Sequence, residues 1–123
     1  MTSKDARKAI TPLLQKHRSK MNTPGGYWIF NGDPKAVEHA RTGIIPLGKG
    51  GKLLLATDGF SRLVDLFEYF ATWGDLLYAL QKSFLQELGE ILRDIETRDS
   101  ECLKFPRFST HDDATAVYME IDL

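Results

Sequence analysis

A chain of 123 residues, with 42 % hydrophobic and 27 % charged side chains, is long enough for one modest core and too apolar for a disordered segment. Its 16 Lys and Arg against 17 Asp and Glu leave a formal charge of -1, so no global field points to nucleic acid and none is expected as a partner. The lone Cys102 excludes an internal disulfide, a multi-cysteine metal site and a redox pair; with no apolar secretion signal and no run of membrane-spanning length, the expected location is cytoplasmic and no membrane partner is expected.

Taken in order, residues 4 to 20 place Ala6, Ala9, Ile10, Leu13, Leu14 and His17 at spacings of three and four, which predicts a helix with one apolar side. Its other side carries Arg7, Lys8, Lys16 and Arg18, so residues 1–21 read as a basic amphipathic helix preceding the rest of the chain. Pro12 argues that this helix starts late or bends. Asn22-Thr23-Pro24-Gly25-Gly26 breaks regular structure, and Tyr27-Trp28-Ile29-Phe30 predicts a short strand. Asp33 suits an N-cap and Pro34 a first helical position, giving a short helix through Arg41. His39 and Glu38 on it read as surface chemistry.

Gly43 to Leu47 predicts an extended segment, and Gly48-Lys49-Gly50-Gly51 a hairpin connection into the next strand. The glycines do not form a phosphate-binding loop, because the final Lys-Ser/Thr is missing and a strand follows rather than a helix. Leu53 to Ala56 is apolar on both faces and predicts a central strand, ending in Thr57-Asp58-Gly59. Apolar residues at 60, 63, 64, 67 and 70 then predict a helix, with Arg62 and Asp65 able to pair locally. Thr72 and Asp75 form a capping box for a second helix, whose apolar series from Leu76 to Ile95 predicts the longest helix of the chain, ending near Thr97. A loop follows, with Pro106 interrupting structure and Phe105 and Phe108 as candidate anchors. Ala114 to Ile121 predicts a strand with Val117, Met119 and Ile121 on its more apolar face.

Two acidic stretches draw chemistry out of this order. Asp58 comes directly after one strand, and His111-Asp112-Asp113 directly before another. If the strands are antiparallel neighbours, the end of the first lies beside the start of the second, and Asp58 meets Asp112. Adjacent carboxylates repel unless neutralised, and Mg2+ or Mn2+ prefers oxygen ligands, so a divalent cation is the natural use of the meeting. Taken singly, Asp-Gly also serves as a turn or a helix start.

The stretches Leu54-Leu55-Ala56-Thr57-Asp58-Gly59-Phe60 and His111-Asp112-Asp113-Ala114-Thr115-Ala116-Val117, in this order of elements, resemble the C-terminal half of the PPM-type metal-dependent protein serine/threonine phosphatases. The resemblance spans residues 22–123. It implies an α+β fold, half of an α-β-β-α sandwich, with antiparallel strands covered by the long helix. It implies Asp58 and Asp112 as direct metal ligands and Asp113 as a weaker third, at a position where the family often has asparagine. It further implies Mg2+ or Mn2+, and hydrolysis of phosphoserine or phosphothreonine monoesters in a phosphoprotein by attack of activated water. The family's earlier acidic motifs have no counterpart in residues 1–52, where Asp5 sits in a basic helix and Asp33 is a cap. The family's phosphate-gripping basic residue has no match either, with Arg18 and Arg62 as substitutes. The expectation is therefore a truncated domain that is inactive alone and pairs with a missing N-terminal half or another copy of itself. The alternative is a non-catalytic interaction or regulatory module on the same half-fold.

Overall fold

The computed structural model describes residues 3–122. It divides into two compact units, one of residues 4–46 and one holding what is described from Leu47 onward.

In the first unit, α1 (Ser3–Arg18) is a continuous helix with Pro12 inside it, where a bend or a late start is expected from the sequence. On its apolar side Leu13 is 54 % and Leu14 37 % exposed. The strand expected at 27–30 does not form. A strand needs a partner ladder, and only one isolated bridge, Met21 to Tyr27, is made there. Asn22 organises the segment instead, its side chain accepting from the Ile29 N–H and donating to the Asn31 side chain, both at 2.8 Å. The cap at Asp33 is as expected: it accepts from the Lys35 N–H at the start of α2 (Pro34–Glu38), with Pro34 in the first turn. His39 stacks on Trp28 with ring centroids 3.6 Å apart.

The second unit runs β1 (Gly50–Ala56), α3 (Asp58–Asp65), α4 (Trp73–Leu80), α5 (Leu85–Arg98) and β2 (Ala116–Asp122). The fold is α+β: β1 and β2 form a two-stranded antiparallel sheet, in register from Gly50 opposite Asp122 to Ala56 opposite Ala116. Gly48-Lys49 turns the chain, but no strand precedes it, so the expected hairpin is absent. Nor is β1 a central strand, since β2 is its single neighbour among the described residues.

A two-stranded sheet is marginal in water and depends on what it packs against. Here Leu54, Ala116 and Tyr118 lie against a core of Phe60, Leu63, Phe67, Leu76, Leu80, Leu88 and Leu92 contributed by the helical half. Alternation then sends Leu53, Leu55, Val117 and Met119 to the opposite face, where they are 37 to 56 % exposed. The more apolar face of β2 is thus the outer one.

The long helix expected over 76–97 is two helices, and the reason is geometric. The buried positions fall at Leu76 and Leu80, then at Leu88, Leu92 and Glu96, all on one spacing of four. Each step of four residues advances about 40° beyond a full turn. A single helix would therefore carry this stripe roughly halfway around its axis between 76 and 96, away from the core. The break at 81–84 resets the direction, with Phe84 as the extended N-cap of α5 and 78 % exposed. The Thr72 and Asp75 capping box forms at α4 as the sequence predicts.

The loop from Asp99 to Asp113 is held by a buried clamp. The Asp99 carboxylate accepts from the backbone N–H groups of Leu103, Lys104 and Phe105, and from Arg107 at 2.6 Å. The Arg107 guanidinium, 3 % exposed, also donates to the carbonyls of Glu96, Asp99, Phe105 and Thr110. Phe105 packs edge-on against Phe67 at 5.1 Å, whereas Phe108 is 53 % exposed.

Candidate functional site

The antiparallel pairing brings the last residues of β1 beside the segment that leads into β2. Thr57 ties them together: its N–H donates to the Thr115 carbonyl at 2.9 Å, and its hydroxyl accepts from the Thr115 N–H at 3.0 Å. Thr57 is also the N-cap of α3, so Asp58 opens the first turn of that helix. The backbones approach closely at Gly59. A side chain there would begin against the Asp113 carbonyl oxygen and 3.3 Å from the Asp112 β-carbon. Glycine is required because the two acidic stretches meet backbone to backbone.

The three carboxylates sit differently at this junction. Asp58 is exposed and accepts from its neighbour Gly59 N–H at 3.0 Å. Asp113 is exposed. Asp112 is held at both oxygens, Oδ1 accepting from the Asp113 N–H at 3.0 Å and Oδ2 from Arg62 Nη2 at 2.7 Å, with its side chain 40 % exposed.

Behind Asp112 lies a charged cluster that the sequence reading missed. Arg62 does not pair with Asp65. Its other terminal nitrogen donates to Glu96 Oε1 at 3.0 Å, and Glu96, on α5, is fully buried. The second Glu96 oxygen accepts from Arg93 at 2.6 Å and from His111 Nδ1 at 3.0 Å. Burial pushes the Glu96 carboxyl up, but hydrogen bonds from His111, Arg93 and Arg62 outweigh it, and the group lies below the usual glutamate range. It is therefore a carboxylate near neutral pH. A signal for it was present in the sequence, since Glu96 continues the buried stripe of Leu88 and Leu92 one step further. This engagement leaves Arg62 unsuited to gripping a phosphate, because its guanidinium, 13 % exposed, is taken up by two carboxylates. Arg18 belongs to the other compact unit.

As donors, carboxylate oxygens match the hard cations Mg2+ and Mn2+. Among the described residues, no three His, Cys, Asp or Glu side chains gather closely enough to enclose a metal ion. Mg2+ commonly takes only one or two protein carboxylates, with water and substrate phosphate completing the shell. Among the described residues, no helix is long and apolar enough to cross a membrane. Comparison with protein-family models, with curated proteins and with solved structures returned no match.

Proposed function

We propose that this chain carries one side of a Mg2+- or Mn2+-dependent phosphomonoesterase site of the PPM phosphatase kind, with Asp58 and Asp112 as ligands and Asp113 as a weaker third. The observation that supports this reading is the junction itself: Thr57 and Gly59 lock the end of β1 against the segment of Asp112 to Thr115, so that Asp58 and Asp112, far apart in sequence, stand on adjoining stretches of backbone. When bound, such a cation polarises phosphoryl oxygens and lowers the pKa of coordinated water. The chain's own contribution is to orient carboxylates: the Asp113 N–H and Arg62 fix Asp112, and the Gly59 N–H holds one oxygen of Asp58. With Asp58 and Asp112 as its principal carboxylates and Arg62 taken up by Glu96 and Asp112, the chain is the incomplete part of a site. Its substrate, a phosphoserine or phosphothreonine protein, requires the remaining ligands from an N-terminal half or a second copy. The sheet fits half of an α-β-β-α sandwich, since its inner face is covered by helices and its outer face of Leu53, Leu55, Val117 and Met119 is apolar and open.

That open face also favours a second reading, a non-catalytic interaction or regulatory module in which the aspartates serve only caps and turns. Calorimetric titration of the chain with Mn2+ separates the two. The phosphatase reading expects binding to the wild type that is lost in Asp58→Ala and in Asp112→Ala, with no turnover of an aryl phosphate by the chain alone. Affinity for Mn2+ that neither substitution changes would sink the metal assignment and leave the interaction module.

A further inference from the structure

Among the described residues β2 has one edge without a partner, and the ladder shows which groups that edge offers. The Thr57 N–H bonds the Thr115 carbonyl, and the register carries that pairing on through Leu55 with Val117, Leu53 with Met119 and Gly51 with Ile121. Antiparallel pairs alternate, so these residues turn their N–H and C=O groups toward β1, while Ala116, Tyr118, Glu120 and Asp122 turn theirs to the open edge. Nothing in the composition of β2 guards it, since Ala116–Asp122 holds no Pro, Gly or Lys. The open edge of β1 differs. Lys52 lies on it and Gly50 and Gly51 begin it, features that discourage pairing.

We infer that β2 pairs antiparallel with β2 of a second copy of this chain, about a two-fold axis at Met119, so that two marginal two-stranded sheets become one sheet of four strands. The pairing is independent of any cation at Asp58 and Asp112. Its register follows from which residues face the edge. Centred on Met119, Tyr118 bonds Glu120 of the second copy and Ala116 bonds Asp122, so every outward-facing residue of β2 is used. Centred on Glu120, the two Glu120 carboxylates would stand directly opposite each other, which repels. Centred on Tyr118, Asp122 would reach past the end of the other β2 and lose its partner. The side chains agree with the Met119 register. On the outer face Met119 meets its own copy and Val117 meets Ile121, giving apolar neighbours to residues that are 40 and 49 % exposed in the single chain. On the inner face Glu120 of the second copy falls beside Tyr118, where Lys82 and the exposed Phe84 line a groove, so an acidic side chain meets a basic one. Asp122 of the second copy falls beside Ala116, whose groove carries both Arg93 and Glu90 and is neutral toward it. A contact of one strand per copy belongs to the small, concentration-dependent class of interface.

The experiment is sedimentation of the full chain over a range of concentrations, where the wild type should show a monomer–dimer equilibrium. Glu120→Pro removes an N–H that faces the open edge and leaves the β1 ladder whole. Each dimer then loses two hydrogen bonds, one from each copy, and the dissociation constant should rise about 30-fold with the far-UV circular dichroism unchanged. Met119→Cys reads the register. Residues facing each other in a non-hydrogen-bonded pair have Cα atoms about 4.5 Å apart, within reach of a disulfide, so mild oxidation should link two copies of this variant. Val117→Cys faces Ile121 instead of its own copy and should stay unlinked, as should the wild type, whose Cys102 is buried. A wild type that is monomeric at every concentration overturns the pairing and leaves the edge to a foreign strand. A dimer that Glu120→Pro leaves intact overturns it in favour of another face. If Glu120→Pro disturbs the fold, Met119→Cys decides alone, and its failure to link overturns the pairing.

Discussion

Glu96→Ala should lower the stability of the chain by about 3–5 kcal/mol, read as a fall in the urea midpoint with an unchanged slope. The size follows from what the substitution leaves behind. Glu96 is fully buried and is the shared acceptor for Arg62, Arg93 and His111. Its removal leaves the Arg62 guanidinium, only 13 % exposed, with Asp112 as its one remaining carboxylate partner, and opens a cavity beside Leu92 in the core stripe. Replacing the whole cluster by apolar residues would be milder, since the cost lies in leaving buried donors without their acceptor. A loss below about 1 kcal/mol would mean that the cluster is solvated rather than buried.

Asp99→Ala should cost a similar amount, about 3–5 kcal/mol, for a related reason in a different place. Asp99 accepts three backbone N–H groups of the loop and the buried Arg107 guanidinium, and alanine abandons all four. The same group sets an acid dependence. Burial pushes the Asp99 carboxyl up, but the Lys104 N–H, the Arg107 guanidinium and the N–H groups of Phe105 and Leu103 outweigh it, bringing it from the ordinary 3.8 down to about 2. A folded-state value below the unfolded one means the unfolded chain binds the proton first. The contribution is therefore complete above 3.8 and is lost as pH falls toward about 2. Denaturation followed across that window should show a smaller acid-induced loss in Asp99→Ala than in the wild type. Equal acid slopes would contradict the assignment.

Much of what positions the candidate site was legible because it is written locally. Asp58-Gly59 after an apolar strand and Asp112 before another are short signals, and antiparallel pairing alone suffices to bring them together. The Thr72 and Asp75 box and the Asp33-Pro34 start are likewise decided within a single turn of chain. The rest depends on partners or on phase. Tyr27 to Phe30 has strand composition but gains no ladder among the described residues, and composition cannot supply one. Apolar residues between 76 and 95 satisfy a helical pattern at every step, yet the accumulated drift of their spacing forces a break that no single window displays. Val117 and Met119 form the more apolar face of β2 and lie outward, because Ala116 and Tyr118 take the helix side. Arg62 illustrates a third difficulty. Proximity in sequence suggested Asp65, but its partners are on α5 and in the loop before β2. The clamp at Asp99 was illegible for the same reason, since it exists only once the loop has folded back on itself.

Amide resonances followed against Mn2+ test most directly the proposal that Asp58 and Asp112 form one cation-binding spot. Substoichiometric Mn2+ broadens amide signals near the ion, so even a weak site is located. The Gly59 and Asp113 resonances should broaden first, and Mg2+ in excess should restore them. Broadening centred on another acidic surface, such as Glu90 and Asp94 of α5, with Gly59 and Asp113 left sharp, would contradict it.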